Sequence, residues 1–190
     1  VEPSTDFTGL WVRDTARFGY TYRPVPEWPY TDYAMSQVNN FSELQNPQLD
    51  CLDPGPPKST TLPYPIQIER PDSETVILDY EGADHTRVIS LNSELVLGAP
   101  SKLGQSRGWF EGDVLVVETD NFVADRWGSY TGVDSSDQKH LLERFSLVSD
   151  GMGLRIEITL TDPVMFKAPV TIDYYMKKLA DRELVKVECT

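Results

Sequence analysis

His85 and His140 are the only histidines in the sequence, and they are the side chains best suited to exchange protons near neutral pH. Each stands at the head of a strand-like run, His85 before Thr86–Leu91 and His140 before Leu141–Ser149, next to polar loops. Each is either a rim side chain or a general acid/base. Arg87 and Arg155 lie in the middle of short strand-like runs. A strand arginine usually reaches water. One that turns inward needs an anion, because an unpaired buried charge is costly. Glu118, Glu143 and Glu157 are the candidate partners, and such a pairing could raise a carboxyl pKa or bind a substrate oxyanion. The catalytic residues expected on this reading are His85, Arg87, His140, Glu143 and Arg155, with Glu143 orienting a histidine or an arginine. Trp109, Glu118, Trp127, Tyr130 and Glu157 are the expected substrate contacts. Aromatic side chains at a pocket mouth grip flat apolar ligands or sugar rings, although Trp28, Tyr30, Tyr33, Trp127 and Tyr130 could equally cover a core.

Other chemistries lack their signatures. There is no G-x-S-x-G, S-x-x-K, P-loop or G-x-G-x-x-G, and Ser106 within G-Q-S-R-G leads into a strand and not a helix. No cofactor is expected. Two histidines are few for a metal, and their spacing to Asp84 or Glu143 gives no ligand pattern, so no metal is expected either.

Composition narrows the class. The chain of 190 residues fits one domain with its own core, and 39% apolar content with 20 aromatic residues (9 Tyr, 7 Phe, 4 Trp) is not that of a disordered chain. The net charge of −13 opposes binding to phosphate backbones and to anionic membranes, so nucleic-acid partners are not expected. No run of 18 apolar residues is present to span a membrane as a helix. The expected partner is a small-molecule substrate or ligand; the oligomeric state is open. The chain opens at Val1, which reads as a mature form freed of a signal peptide or as a trimmed chain. Cys51 and Cys189 fit no zinc pattern; they are either two buried thiols or one bridge.

The elements that must position these groups are mostly strands. Residues 1–65 read as a wrapping segment: an opening strand at Asp6–Val12, a proline-rich aromatic stretch from Tyr20 to Tyr33, a helix from Asp32 to Leu44, and a rigid turn at Asp53-Pro54-Gly55-Pro56-Pro57. From residue 66 to 190, strands and turns alternate. Glu111-Gly112-Asp113 turns one hairpin, and Leu154, Ile156, Ile158 and Leu160 alternate with Arg155, Glu157 and Thr159. Residues 120–139 read as a polar loop able to act as a lid. Val170–Lys177 and Leu184–Cys189 read as closing strands. About eight or nine short strands and one helix predict a single all-β domain, a barrel or a sandwich, with an antiparallel closed or partly open barrel favoured because closure removes exposed edges. If the aliphatic face of Leu154–Leu160 packs against an outer layer, Arg155 and Glu157 line the interior; otherwise they are solvated.

Residues Leu103–Thr119 (LGQSRGWFEGDVLVVET) resemble the block L-G-x-S-x-G-R-W-E-G-D-x-L-V-V-E-T of a large family of secreted bacterial proteins. Phe7-Thr8-Gly9-Leu10-Trp11, Cys51-Leu52-Asp53-Pro54-Gly55, Arg87-Val88-Ile89, His140–Phe145, Leu154–Thr159 and Glu188-Cys189 resemble further segments of that family in the same order. The resemblance implies export to the periplasm or the medium, and a Cys51–Cys189 disulfide. It implies no reaction. Trp109 and Phe110 depart from the family's Arg-Trp. Gly9-x-Trp11 is also similar to the opening G-x-W of lipocalins, whose tryptophan plugs one barrel end. Two functions follow as expectations: an extracytoplasmic lyase, isomerase or hydrolase using acid/base chemistry, or a non-catalytic binder of an apolar or aromatic small molecule.

Overall fold

A computed structural model describes residues 6–17, 23–82, 85–92, 94, 98–149, 151–180 and 182–186. Nine strands close a barrel: β1 (Gly9–Arg13), β2 (Ile66–Glu69), β3 (Thr75–Tyr80), β4 (Thr86–Ser90), β5 (Gln105–Glu111), β6 (Val114–Asp120), β9 (His140–Val148), β10 (Gly153–Thr161) and β11 (Val170–Leu179). Two more, β7 (Asp125–Tyr130) and β8 (Val133–Ser135), pair as a separate ribbon inserted between β6 and β9. The barrel is the expected all-β architecture. Its order is β1-β11-β10-β9-β6-β5-β4-β3-β2, and β1 closes it by pairing with both β11 and β2.

One junction differs from an all-antiparallel meander. β4 and β5 run parallel, with Ile89 opposite Ser106, so the sheet is mixed. A parallel pair needs the chain to cross back before the second strand begins. The inward faces follow the period of two: Val76, Leu78 and Tyr80 on β3, Leu115, Val117 and Thr119 on β6, Leu154, Ile156, Ile158 and Leu160 on β10. Trp11, fully buried on β1, donates from its indole nitrogen to the Phe7 carbonyl at 2.9 Å. The aliphatic face of β10 therefore fills the barrel, and its polar face is the outer wall.

The wrapping segment departs from its expected elements. Helix α1 spans Asp32–Asn39, capped by Thr31, whose hydroxyl accepts from the Ala34 amide. It stops short of Leu44 because side chains downstream capture backbone amides for new turns. Ser42 accepts from Leu44 N, and Asn46 accepts from Gln48 N, opening 3-10 turns at Glu43–Gln45 and Pro47–Asp50. A second short helix, α2 (Lys58–Thr61), follows the proline-rich turn. At the other end, residues 182–186 are not in a strand; residues 187–190, including Cys189, lie outside the described residues. The expected bridge to Cys51 thus involves a residue beyond the description. No free cysteine occurs among the described residues.

An aromatic cluster seats the wrap on the barrel. Trp28 lies 5.0 Å from the Tyr130 ring and 5.7 Å from Phe166, and Tyr30 bridges to Phe166. Thr31 adds two hydrogen bonds to the 164–165 turn, its amide to Met165 O and its hydroxyl to Val164 O.

Candidate functional site

Strands β4, β5, β6 and β9 bring the buried polar side chains Arg87, Ser106, Thr119 and Glu143 together inside the barrel, near one of its mouths. Arg87 on β4 and Glu143 on β9 both point inward, at 1% and 0% side-chain exposure. Arg87 donates to Ser106 Oγ at 3.0 Å, to Thr119 Oγ1 at 2.7 Å and to Glu143 Oε1 at 3.1 Å; it also contacts Glu143 Oε2. Ser106 and Thr119 share a hydrogen bond of 2.9 Å. Burial opposes the charge on Arg87, but the Glu143 carboxylate and its hydrogen bonds hold the guanidinium above its ordinary pKa. Tyr80 adds a further favourable interaction with the guanidinium.

A plug shuts this mouth. Pro54 to Leu62, the proline-rich turn and α2, are buried throughout. A coiled segment buried against a barrel has carbonyls that no ladder satisfies. Cationic and phenolic side chains of the barrel supply the donors. Lys139 Nζ donates to Pro56 O at 2.8 Å and to Gly128 O at 3.2 Å, Arg13 donates to Thr61 O at 3.1 Å, and the Tyr174 hydroxyl donates to Leu62 O at 3.1 Å. The Gly55 amide donates to Asp125 Oδ2 at 2.9 Å, and any Cβ at Gly55 would lie 1.9 Å from the Lys102 carbonyl oxygen. Glycine is the residue that fits there.

Two lysines are buried in the same assembly. Lys139 lies 4.2 Å from the centre of the Phe122 ring; Lys58 donates to Thr131 Oγ1 at 2.6 Å and lies 5.5 Å from the Tyr130 ring. Burial pushes each amine down to about 8, partly offset at Lys58 by Glu43 and at Lys139 by Asp125 and Asp162. His85 packs against Tyr80 with ring centroids 5.3 Å apart, and burial lowers its pKa. Its Nε2 is buried without a hydrogen-bond partner among the described residues.

Two clefts open beside the plug. A cleft of about 480 Å³ is lined by Tyr33, Ala124, Asp125, Arg126, Asp134, Ser135, Ser136, Val164 and Met165. A second of about 390 Å³, between α1 and the β7–β8 ribbon, shares Arg126 and Asp134 with the first and adds Gln37, Asn40 and Trp127. The ribbon between them is held in an uncommon conformation. Trp127 has φ of +57°, a region that bulky residues rarely adopt, and such strain persists where surrounding contacts fix it. Here its ring stacks on Phe41 at 5.6 Å and its amide donates to Asp134 Oδ1 at 2.9 Å. Gln37 of α1 then locks Asp134 from both sides: Nε2 donates to Asp134 Oδ2 at 3.0 Å, and Oε1 accepts from the Asp134 amide at 3.1 Å. Arg126 pairs with Asp50 at the surface.

The structure brings some of the expected site residues together and separates others. Arg87 and Glu143 meet inside the barrel. His140 and Glu118 meet on its outer wall at 3.0 Å. Arg155 and Glu157 also lie on the outer wall, bonded to each other, with Arg155 also bonded to Asp173, because the aliphatic face of β10 claims the interior. The condition that would have turned them inward is not met. Trp109 is 39% exposed on the outer wall and donates to Glu111 Oε1 at 3.1 Å. Tyr130 belongs to the aromatic seat of the wrap, and Trp127 alone of the expected contacts lines a cleft. The stretch read as a lid is instead the buried ribbon. Sequence reasoning passed over Lys58, Lys139, Asp125, Arg126 and Asp134. The alternation of Asp125, Trp127 and Ser129 was the available signal for β7, hidden by its polar composition.

Comparison of the chain with family models, curated proteins and solved structures yields no match.

Proposed function

We propose that the protein binds a small molecule without transforming it, and that the ligand lies in the cleft around Arg126 and Asp134. The observation that carries this reading is the pairing of an open cleft with a rigidly held wall, whereas the barrel interior is packed with side chains. Pockets for small ligands are concave, mostly apolar and edged by a few fixed polar groups. Tyr33, Val164 and Met165 offer the apolar surface, while Asp134, fixed by Gln37 and the Trp127 amide, offers an oriented carboxylate. Among the described residues Arg126 is held by Asp50 alone, at the exposed rim, and an anionic ligand group can replace that partner. The ligand class is an apolar or aromatic body bearing a negative group. Export to the periplasm or medium, as the family resemblance implies, is part of this proposal.

Anilinonaphthalene sulfonate has this chemistry and reports by fluorescence. Saturable enhancement with the folded protein is expected, weakened several-fold by Arg126→Ala and by Val164→Glu. Enhancement that never saturates, or that ignores both substitutions, would refute the cleft as the site.

The acid/base enzyme remains the second reading, favoured by one observation: burial lowers the pKa of Lys58 within the plug, of Lys139 bonded to the plug carbonyl of Pro56, and of His85. Groups perturbed in this way concentrate at catalytic sites. This reading requires the Pro54–Leu62 plug to withdraw so that a substrate reaches His85. Turnover of a lyase, isomerase or hydrolase substrate should then collapse in His85→Ala. Turnover undiminished in that variant would remove His85 from the mechanism.

A further inference from the structure

Glu118 and Asp120 occupy alternate positions of β6 and so share its outer face, about 6.8 Å apart along the strand. In the ladder with β9, Thr119 faces Leu141, and the next residues outward are Asp120 on one strand and His140 on the other. One imidazole and two carboxylates therefore converge on the barrel wall from two adjacent strands. His140 Nε2 lies 3.0 Å from Glu118 Oε1 and 3.8 Å from Asp120 Oδ1, and all three ligand-type atoms lie within 4.8 Å of one another. We propose that Glu118, Asp120 and His140 form a surface site for a divalent transition-metal ion of the zinc type.

Several features support this beyond proximity. Ligand atoms on a tetrahedral zinc stand about 3.3 Å apart, so His140 and Glu118 are already near that separation and Asp120 needs only a side-chain rotation. One nitrogen and two oxygens suit zinc better than calcium or magnesium, which take all-oxygen shells, and leave positions open for water. The backbone beneath the site is fixed, because Thr119, between the two carboxylates, bonds inward to Arg87. Arg107 bonds to Oε2 of Glu118, the oxygen facing away from His140, so Oε1 stays on the imidazole side. An acidic protein also raises the local concentration of cations. The linear spacing of His140 to Glu118 and Asp120 matches no sequence pattern for a metal, and only strand pairing reveals the set.

The test uses the full chain freed of metal and titrated with zinc chloride in a calorimeter. One zinc per chain is expected, with saturation in the micromolar range. His140→Ala and Asp120→Asn should each weaken binding by at least about tenfold, the scale on which even outer-shell partners act. Arg107→Ala should tighten binding, since it removes the cation that competes for Glu118. Asp32→Asn, an exposed acid elsewhere, should change nothing. Absence of saturable binding at millimolar zinc overturns the proposal, as does binding that survives both ligand substitutions. Ring resonances of His140 that do not move on zinc addition would overturn it independently of the variants.

Discussion

Replacing Glu143 by Leu tests whether the buried pair is a closed structural unit. The carboxylate is fully buried and Arg87 is 1% exposed, so the variant leaves a guanidinium charge with no carboxylate and only hydroxyl partners, Ser106, Thr119 and Tyr80. Breaking a buried pair in this way costs about 3–5 kcal/mol. That is a large share of the roughly 5–15 kcal/mol that keeps a domain folded. Arg87→Met should cost less, because the stranded carboxyl can take up a proton and become neutral. The double variant Arg87→Met/Glu143→Leu removes both charges and supplies apolar volume, while Ser106 and Thr119 keep their mutual hydrogen bond. It should recover to within about 1–2 kcal/mol of the parent, since apolar substitutes for buried pairs are often neutral. Urea unfolding of the four proteins completes the cycle, and the coupling energy should exceed about 2 kcal/mol. Additive losses would show that the two residues do not act as a unit. A cost below about 1 kcal/mol for Glu143→Leu would mean that water reaches Arg87, reopening a substrate-accessible interior.

Two further outcomes follow from the mouth and the cysteines. Lys58 and Lys139 titrate near 8 when folded and near 10.4 when unfolded, so between these values the unfolded chain binds more protons and stability rises with pH. The unfolding free energy from urea titrations should therefore increase from pH 8 to pH 9.5, by up to about 2 kcal/mol for each amine, and Lys139→Met should flatten the slope. Above the ordinary tyrosine range the trend reverses, because burial raises the pKa of Tyr30 and Tyr174 in the folded state. For the cysteines, the intact mass under non-reducing conditions should be two hydrogens lighter than after reduction. Closing the 138-residue loop (189 − 51) would contribute about 4–5 kcal/mol in the chain-entropy model, so a chain equally stable after reduction would argue against the Cys51–Cys189 bridge.

The barrel was legible because its strands carry a clean period of two. Leu154, Ile156, Ile158 and Leu160 declare an inner face, and the EGD turn declares a hairpin. What the period cannot say is which face is inner when both are plausible. Arg155 and Glu157 were open to either wall until the ladder placed Ile158 opposite Glu143, with Arg155 outside. The Arg87–Glu143 pair was within reach, since both lie on strands and have opposite charge. The cleft was not. It depends on α1 meeting β8 through Gln37 and Asp134, residues 97 apart in sequence, and on a tryptophan in a left-handed conformation that composition does not signal. The parallel β4–β5 pair was equally hidden, because a strand's sequence does not record its neighbour's direction.

The seam at β1 governs how the molecule can be made. Residues 10–13 are paired on one side with residues 176–179, so no partial chain emerging from its amino terminus can complete the ring. Until the last long strand is available, β1 and β10 each present an open border of unpaired amides and carbonyls, the geometry that recruits foreign strands. Folding must therefore wait for contacts spanning almost the entire polypeptide, a route that is slow for reasons of loop entropy. A chain shortened by its first thirteen residues would keep two such borders permanently and would self-associate, although it would have lost hardly any of the aliphatic interior.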